Sequence, residues 1–260
     1  MENTIRLDCA VCERKIEKSR NRAKQLITDG KIYVNGKQIT KPSFSVLEED
    51  IIELKGEKLK YVGRGGLKLE KAITEFNINL NKKICIDIGA STGGFTDCML
   101  QNGADKVYAV DVGNSQLDSK LRNDKRVIAI ENTDARKLNF DIIPEKCNFA
   151  SFDVSFISVT MLIYGILPFL SNGADIIVLV KPQFEAGREN ISKKGIVSSK
   201  KAHKAVLEKI YDYCIQTKLS IIDVCNSPIH GGEGNIEYLF HIKNQQNKSI
   251  AKSELDKLVL

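Results

Sequence analysis

The string DIGASTGGFT, Asp87 to Thr96, ends an apolar run on an acid and then sets three glycines, Gly89, Gly93 and Gly94, in the turn that follows. Glycines at such a turn let the backbone come close to a ligand, and a helix starting there offers unpaired N–H groups to an anionic group. Asp111, closing VYAVD, lies 22 residues after Gly89, close to the ~20 at which a carboxylate grips ribose hydroxyls. Turn and acid together predict a cofactor with an adenosine part. Four further ionisable residues stand in distinctive strings: Lys68 in RGGLKLE, Asp153 in SFDVSFIS, Lys181 in LVKPQFEAG and Glu237 in GGEGNIEYLF. Singly, each is more often structural, as a strand end before Pro182, a cap, a solvated helix face or a strand pair. Yet the apolar approaches IIVLV and NFASF both finish in charge, which points to something there to receive it.

Positioning these residues is the task of alternating elements. Strands are expected over Ile84 to Ile88, Lys106 to Asp111, Val127 to Glu131, Phe149 to Asp153, Ile176 to Lys181, Ser220 to Val224 and Ile236 to Ile242. Helical stretches such as GGFTDCMLQNG, SVTMLIYGILPFL and KAHKAVLEKIYDYCIQTK lie between most of them. That alternation predicts a parallel sheet covered on both faces, with sites at the carboxyl ends of its strands. The last two strands have no helix between them and should form a closing antiparallel pair. The end of the chain, NQQNKSIAKSELDKLVL, spaces Ile250, Leu255, Leu258 and Leu260 as a helix would.

The first part of the chain has its own punctuation. RLDCAVCERK and SRNRAKQLITDG predict two amphipathic helices, the second capped by Ser19 and stopped at Gly30. KIYVNGKQI predicts a hairpin about Asn35 and Gly36, and DIIELKG one more strand. The basic residues Arg14, Lys15, Lys18, Arg20, Arg22 and Lys24, against the single acid Glu17, predict a concentrated positive face. Residues Arg6 to about Gly56 resemble the S4 RNA-binding domain, named for a ribosomal protein. The resemblance implies that Arg6, Arg20, Arg22, Lys24 and Lys31 meet RNA phosphates. Gly63, Gly65 and Gly66 should break any helix before Leu67 restarts one, giving an articulated connection.

The small hydroxyl residues Ser91 and Thr92 between the glycines differ from the GxGxxG of dehydrogenases, and DIGASTGGFT resembles the first motif of S-adenosylmethionine-dependent methyltransferases. Together with the strings around Lys68, Asp153, Lys181 and Glu237, it resembles the TlyA, or haemolysin A, type of FtsJ-like ribose methyltransferases over Arg6 to about Lys243. The resemblance implies a Rossmann-like α/β class I methyltransferase fold, with a seven-stranded, mostly parallel sheet, behind a small α+β S4-like RNA-binding domain. The expected division is residues 1–58, a linker over 59–66, the methyltransferase domain over 67–245 and a tail over 246–260. It further implies S-adenosylmethionine as cofactor, its methionine part surrounded by Asp87, Gly89, Ala90, Ser91, Thr92, Gly93 and Gly94, its ribose held by Asp111 and its adenine amino group by Asp134. Lys68, Asp153, Lys181 and Glu237 become the catalytic set for 2′-O-methylation of ribosomal RNA. A ribose 2′-hydroxyl is a poor nucleophile whose proton must leave as its oxygen attacks. Lys181 is the expected base, Asp153 its orienting partner, and Glu237 the counter-charge that fixes Lys68 or the ribose. Arg64, Gln183, Phe184, Lys193 and Lys194 are expected to position RNA, with Phe184 stacking on an extruded base.

Composition narrows the alternatives. The chain has 260 residues, 42% hydrophobic and 28% charged, with a net charge of +6, as in ordinary globular proteins. MENTIRLD carries Glu2, Arg6 and Asp8 where a secretory signal would be apolar, so a cytoplasmic protein is expected; the resemblance above implies ribosomal subunits as its partner. Seven scattered cysteines include one CxxC, Cys9 and Cys12, without a second ligand pair. Buried thiols are expected there and no metal site. A base methyltransferase would carry an NPPY-like motif where this chain has FDVSF. A noncatalytic RNA-binding assembly factor and a pore-forming haemolysin are the remaining readings; VTMLIYGILPFL, interrupted by Pro168, is expected to be a core helix instead of a span.

Overall fold

The computed structural model describes residues 4–17, 19–56, 60–231 and 234–259; Lys18 of the basic run, Leu59 of the connection and Leu260 of the tail lie outside them. The chain divides into two units, Met1–Gly63 and Arg64–Leu260.

In the first unit the order is β1 (Ile5–Arg6), α1 (Leu7–Glu13), α2 (Arg20–Thr28), β2 (Ile32–Val34), β3 (Lys37–Gln38), β4 (Ser45–Val46) and β5 (Ile52–Leu54). Leu7, Ala10 and Val11 of α1 and Ala23, Leu26 and Ile27 of α2 repeat at i, i+3, i+4 and bury together with Ile32, Val34 and Val46. Asn35 and Gly36, at φ 50° and 77°, make the tight turn that joins β2 to β3. β5 pairs with the other edge of β2. The short pairing of β1 with β4 has no sequence signal. Three details depart from expectation. Ser19 occupies the cap position without a side-chain capping bond. Cys9 and Cys12 are half-buried. Arg14 leaves the positive face, donating to the carbonyls of Leu47, at 2.8 Å, Glu48, at 3.0 Å, and Asp50.

The second unit runs α3 (Gly65–Glu75), β6 (Ile84–Ile88), α4 (Gly94–Gln101), β7 (Lys106–Val110), α5 (Ser119–Arg122), β8 (Val127–Ile130), β9 (Cys147–Phe152), α6 (Thr160–Ile166), β10 (Leu170–Val180), α7 (Pro182–Glu185), α8 (Lys200–Gln216), β11 (Ser220–Asn226) and β12 (Tyr238–Lys243). Its seven-stranded sheet has the order β11-β12-β10-β9-β6-β7-β8. β12 is antiparallel to both β10 and β11, and the β10-β9-β6-β7-β8 ladder is parallel. Helices on both faces make the central strands nearly continuous apolar runs, with Phe149, Phe152 and Phe240 fully buried.

This topology places the site. The chain turns one way from β6 to β7 and the other way to β9, and ligands of open α/β sheets gather at that reversal, beyond the carboxyl ends of the strands. Being antiparallel, β12 begins where β10 ends: Tyr238 pairs with Val180, which sets Glu237 beside Lys181. α3 starts at Gly65, two residues earlier than the glycines suggested, because the first helical turn has no N–H bond partners to lose. Lys68 therefore lies one turn in, on the buried face. Pro168 ends α6 as a 3-10 turn, Leu167–Phe169. The tail forms a 3-10 helix, Lys252–Leu258, whose Leu255 is fully buried in the main core.

Candidate active site

Two ion pairs form the centre of the site. Lys68 Nζ lies 2.5 Å from Glu237 Oε2, with side chains only 10% and 2% exposed, and Lys181 Nζ lies 2.6 Å from Asp153 Oδ1. Lys181 also donates to Ser155 Oγ at 3.1 Å, and its Nζ sits 5.9 Å from the centre of the Phe184 ring. Burying a charge is costly unless it is paired, and the four charges here balance two against two. All four line one cavity of about 670 Å³, together with Arg64, Gln183, Phe184 and Gly195. The loop bearing the exposed Lys193 and Lys194 borders it, held where Asn235 Nδ2 donates to Gly195 O at 2.9 Å and Asn235 Oδ1 accepts from Val197 N at 3.2 Å.

A second cavity, about 480 Å³, opens beside the glycine turn, within the ~300–1,000 Å³ of small-molecule sites. Gly89, Ser91, Asp111 and Asp134 line it with the apolar Val110, Val112, Ile157 and Leu162. Asp111 accepts from the backbone N–H of Ser91 at 2.8 Å and of Gly113 at 2.7 Å. Each oxygen keeps lone pairs for further donors, such as ribose hydroxyls. Asp134 accepts from Arg136 through both oxygens and through its N–H, and those bonds hold its carboxyl down at about 2. An acceptor carboxylate at the mouth of an apolar slot fits an adenosine-bearing cofactor.

The glycines of this turn serve the protein's own packing. At Gly89, φ +85°, a Cβ would stand 2.5 Å from the carbonyl oxygen of Asp153; at Gly93, φ +93°, it would stand 2.2 Å from Leu121 Cδ1. Asp87 is fully buried and does not line the cavity. Its carboxylate accepts from Thr96 Oγ and Ser151 Oγ, both at 2.7 Å, so it binds α4 and β9 to β6. Burial pushes its pKa up to about 6 against the pull of those two hydroxyls. Ala90, Thr92, Gly93 and Gly94 stand behind the lining and shape the turn.

Asp153, Ser155 and Phe156 line both cavities. Phe156 is 91% exposed, has φ +65°, and lies 4.9 Å from the Phe184 ring, centre to centre. A bulky residue in the left-handed region costs on the order of 1–3 kcal/mol and persists where its surroundings over-determine it. Phe156 stands inside SFDVSFIS, but no spacing gives it a role; its one signal is an aromatic residue three residues after a strand-ending acid.

In the first unit, Asp8 is wholly buried and gathers two arginines. Arg6 donates to both its oxygens, at 3.0 and 3.1 Å, and Arg20 Nε donates at 3.1 Å. The Arg6 bonds, with those of Arg20, hold the Asp8 carboxyl well below the usual range despite its burial. Both guanidinium groups remain exposed. Arg22 pairs with Glu17 at 3.2 Å, and Lys24 and Lys31 are half-buried. Among the described residues no cluster of three or more His, Cys, Asp or Glu side chains could hold a metal ion, and no helix is long and apolar enough to cross a membrane.

Similarity to known proteins agrees with this geometry. Residues 61–244 match the FtsJ-like methyltransferase family and residues 5–52 the S4 domain. Hemolysin A of Brachyspira hyodysenteriae is 43% identical, over 91% of this chain and 99% of that one. The 16S/23S rRNA (cytidine-2′-O)-methyltransferase TlyA of Mycobacterium tuberculosis is 33% identical over 100% of this chain and 97% of its own. A solved structure from Streptococcus thermophilus superposes with a TM-score of 0.79 at 41% identity, covering 100% of this chain and 95% of that one.

Proposed function

This chain belongs to the FtsJ-like methyltransferase family, and we propose that it transfers a methyl group from S-adenosylmethionine to a ribose 2′-oxygen, that of a cytidine, in ribosomal RNA within ribosomal subunits of the cytoplasm. The observation that carries this reading is the Lys181–Asp153 pair, whose Asp153 lines both the wider cavity and the cavity beside the glycine turn. The activity named for the mycobacterial relative supports it. Large-subunit RNA is the first substrate to test and small-subunit RNA the second.

S-adenosylmethionine supplies a methyl group on a positively charged sulfur, open to in-line attack by an oxygen. The chain's own residues prepare that oxygen. Lys181 first releases its ammonium proton to solvent and then takes the 2′-hydroxyl proton on Nζ, while Asp153 and Ser155 fix where Nζ stands. Lys68, held by Glu237, presents an ammonium to the ribose without adding net charge to the site. Asp111 accepts from the cofactor's ribose hydroxyls, and Asp134, fixed by Arg136, borders the adenine end.

The nucleotide leaves its stack so that its ribose can enter the wider cavity. The exposed Phe156 and the half-buried Phe184 offer aromatic faces to the extruded base. Arg6 and Arg20, splayed about Asp8, receive backbone phosphates, and Arg64 does so at the rim of the wider cavity.

Incubation of the protein with unmodified ribosomal RNA and labelled S-adenosylmethionine, then digestion to nucleosides, tests this reading. Label is expected on the ribose of cytidine; label on a base would overturn it.

A further inference from the structure

Glu185, the last residue of α7, takes no part in the chemistry above, yet its side chain is only 3% exposed and fully engaged. Its Oε1 accepts from the backbone N–H of Val159 at 2.8 Å. Its Oε2 accepts from Ser158 Oγ at 2.6 Å and from Lys209 Nζ, on α8, at 2.9 Å. One carboxylate thus joins three segments: the loop after β9, the turn after β10 and the long helix behind them.

The loop after β9 carries Asp153, Ser155 and Phe156, and the turn after β10 carries Lys181 and Phe184. The Lys181–Asp153 contact and the Phe156–Phe184 contact both bridge those two segments. Ser158 lies two residues beyond Phe156, whose left-handed backbone needs outside support to persist. An apolar contact would let the segments slide, whereas three directional bonds to one buried carboxylate fix their separation.

We propose that Glu185 is a positioning residue for methyl transfer: it latches the Phe156 loop to the Lys181 turn, so that base stacking and proton removal are set in one geometry. This role rests on the function proposed above. Glu185 lines neither cavity itself; its effect is exerted through the loop whose Asp153, Ser155 and Phe156 border both.

The test is a double-mutant cycle on the full chain with unmodified ribosomal RNA, comparing wild type, Glu185→Gln, Phe156→Ala and the double variant, with S-adenosylmethionine affinity measured by calorimetry. Glutamine keeps the shape but turns donors toward Ser158 and Lys209. Glu185→Gln is expected to lower kcat by up to about 100-fold, the scale of a ~1 Å misplacement, with S-adenosylmethionine affinity changed far less than kcat. The double variant is expected to be slower than Phe156→Ala by less than the factor that Glu185→Gln costs alone, since the two changes share the placement of Phe156. Wild-type turnover in Glu185→Gln, losses that multiply in the double variant, or a loss that Phe156→Ala does not share would overturn the proposal. If Glu185→Gln does not fold, Ser158→Ala, which keeps the Val159 and Lys209 bonds, replaces it under the same criteria. A wild-type protein that puts no methyl group on ribose would instead refute the proposed function.

Discussion

Lys68 and Glu237, 169 positions apart in the chain, meet at 2.5 Å inside the protein, the lysine from the second turn of α3 and the glutamate from the residue before β12. The pair fastens the helix that enters the domain to the antiparallel strand that completes the sheet. Removing one partner leaves a lone buried charge, which costs about 3–5 kcal/mol. Glu237→Ala is therefore expected to lose that much stability in denaturant unfolding and to lose methyl transfer. Lys68→Met combined with Glu237→Met is expected to recover most of the stability but none of the activity. Recovery of both would show the pair to be purely structural.

Gly89→Ala tests the contact between the glycine turn and the catalytic strand. The added Cβ meets the Asp153 carbonyl oxygen at 2.5 Å from a backbone at φ +85°, so Asp153 must move. A loss of about 1–3 kcal/mol in stability and a large fall in kcat are expected. A variant with normal kcat would mean that Asp153 tolerates displacement.

Asp87 gives a pH dependence with a definite sign. Its pKa in the folded protein, about 6, lies above the ordinary 3.8, so the folded state holds this proton more tightly than the unfolded chain. The stability gained is full below about 3.8 and is lost as pH rises through about 6, a swing of roughly 3 kcal/mol. Relative to Asp87→Asn, the wild type is thus expected to weaken between pH 4 and pH 6 in unfolding titrations. Parallel stability curves for the two proteins would contradict this.

Arg20 gives a prediction about RNA. As one phosphate contact on a single-stranded or duplex site, its removal should flatten the plot of log affinity against log salt by about 0.7–0.9, read by filter binding at several salt concentrations. An unchanged slope would place Arg20 outside the interface and leave its pairing with Asp8 a fold contact.

Much of the fold and of the site is legible in the amino-acid sequence, because charge at the end of an apolar strand is expensive and therefore informative. Lys181 after IIVLV and Asp153 after NFASF declare themselves that way, and the Asn35–Gly36 hairpin does so through its backbone demand. What stays hidden depends on contacts between distant segments. The fully buried Asp87 reads like a ligand-facing acid until Thr96 and Ser151 are seen to take both its oxygens. Arg14 reads like part of a phosphate-binding face until the carbonyls of residues 47–50 are found around it. The glycines do allow a close approach, as their spacing suggests, but the approaching atoms belong to Asp153 and Leu121. Phe156 gives no spacing signal, since its importance lies in a left-handed backbone and an exposed ring.

The central claim is that Lys181, steadied by Asp153, removes the proton from a ribose 2′-hydroxyl. Single-turnover formation of 2′-O-methylcytidine by Lys181→Met, alongside its S-adenosylmethionine affinity, measures that directly. A fall of about 100-fold or more in the rate with unchanged affinity for the methyl donor is predicted; a wild-type rate in that variant would contradict the account.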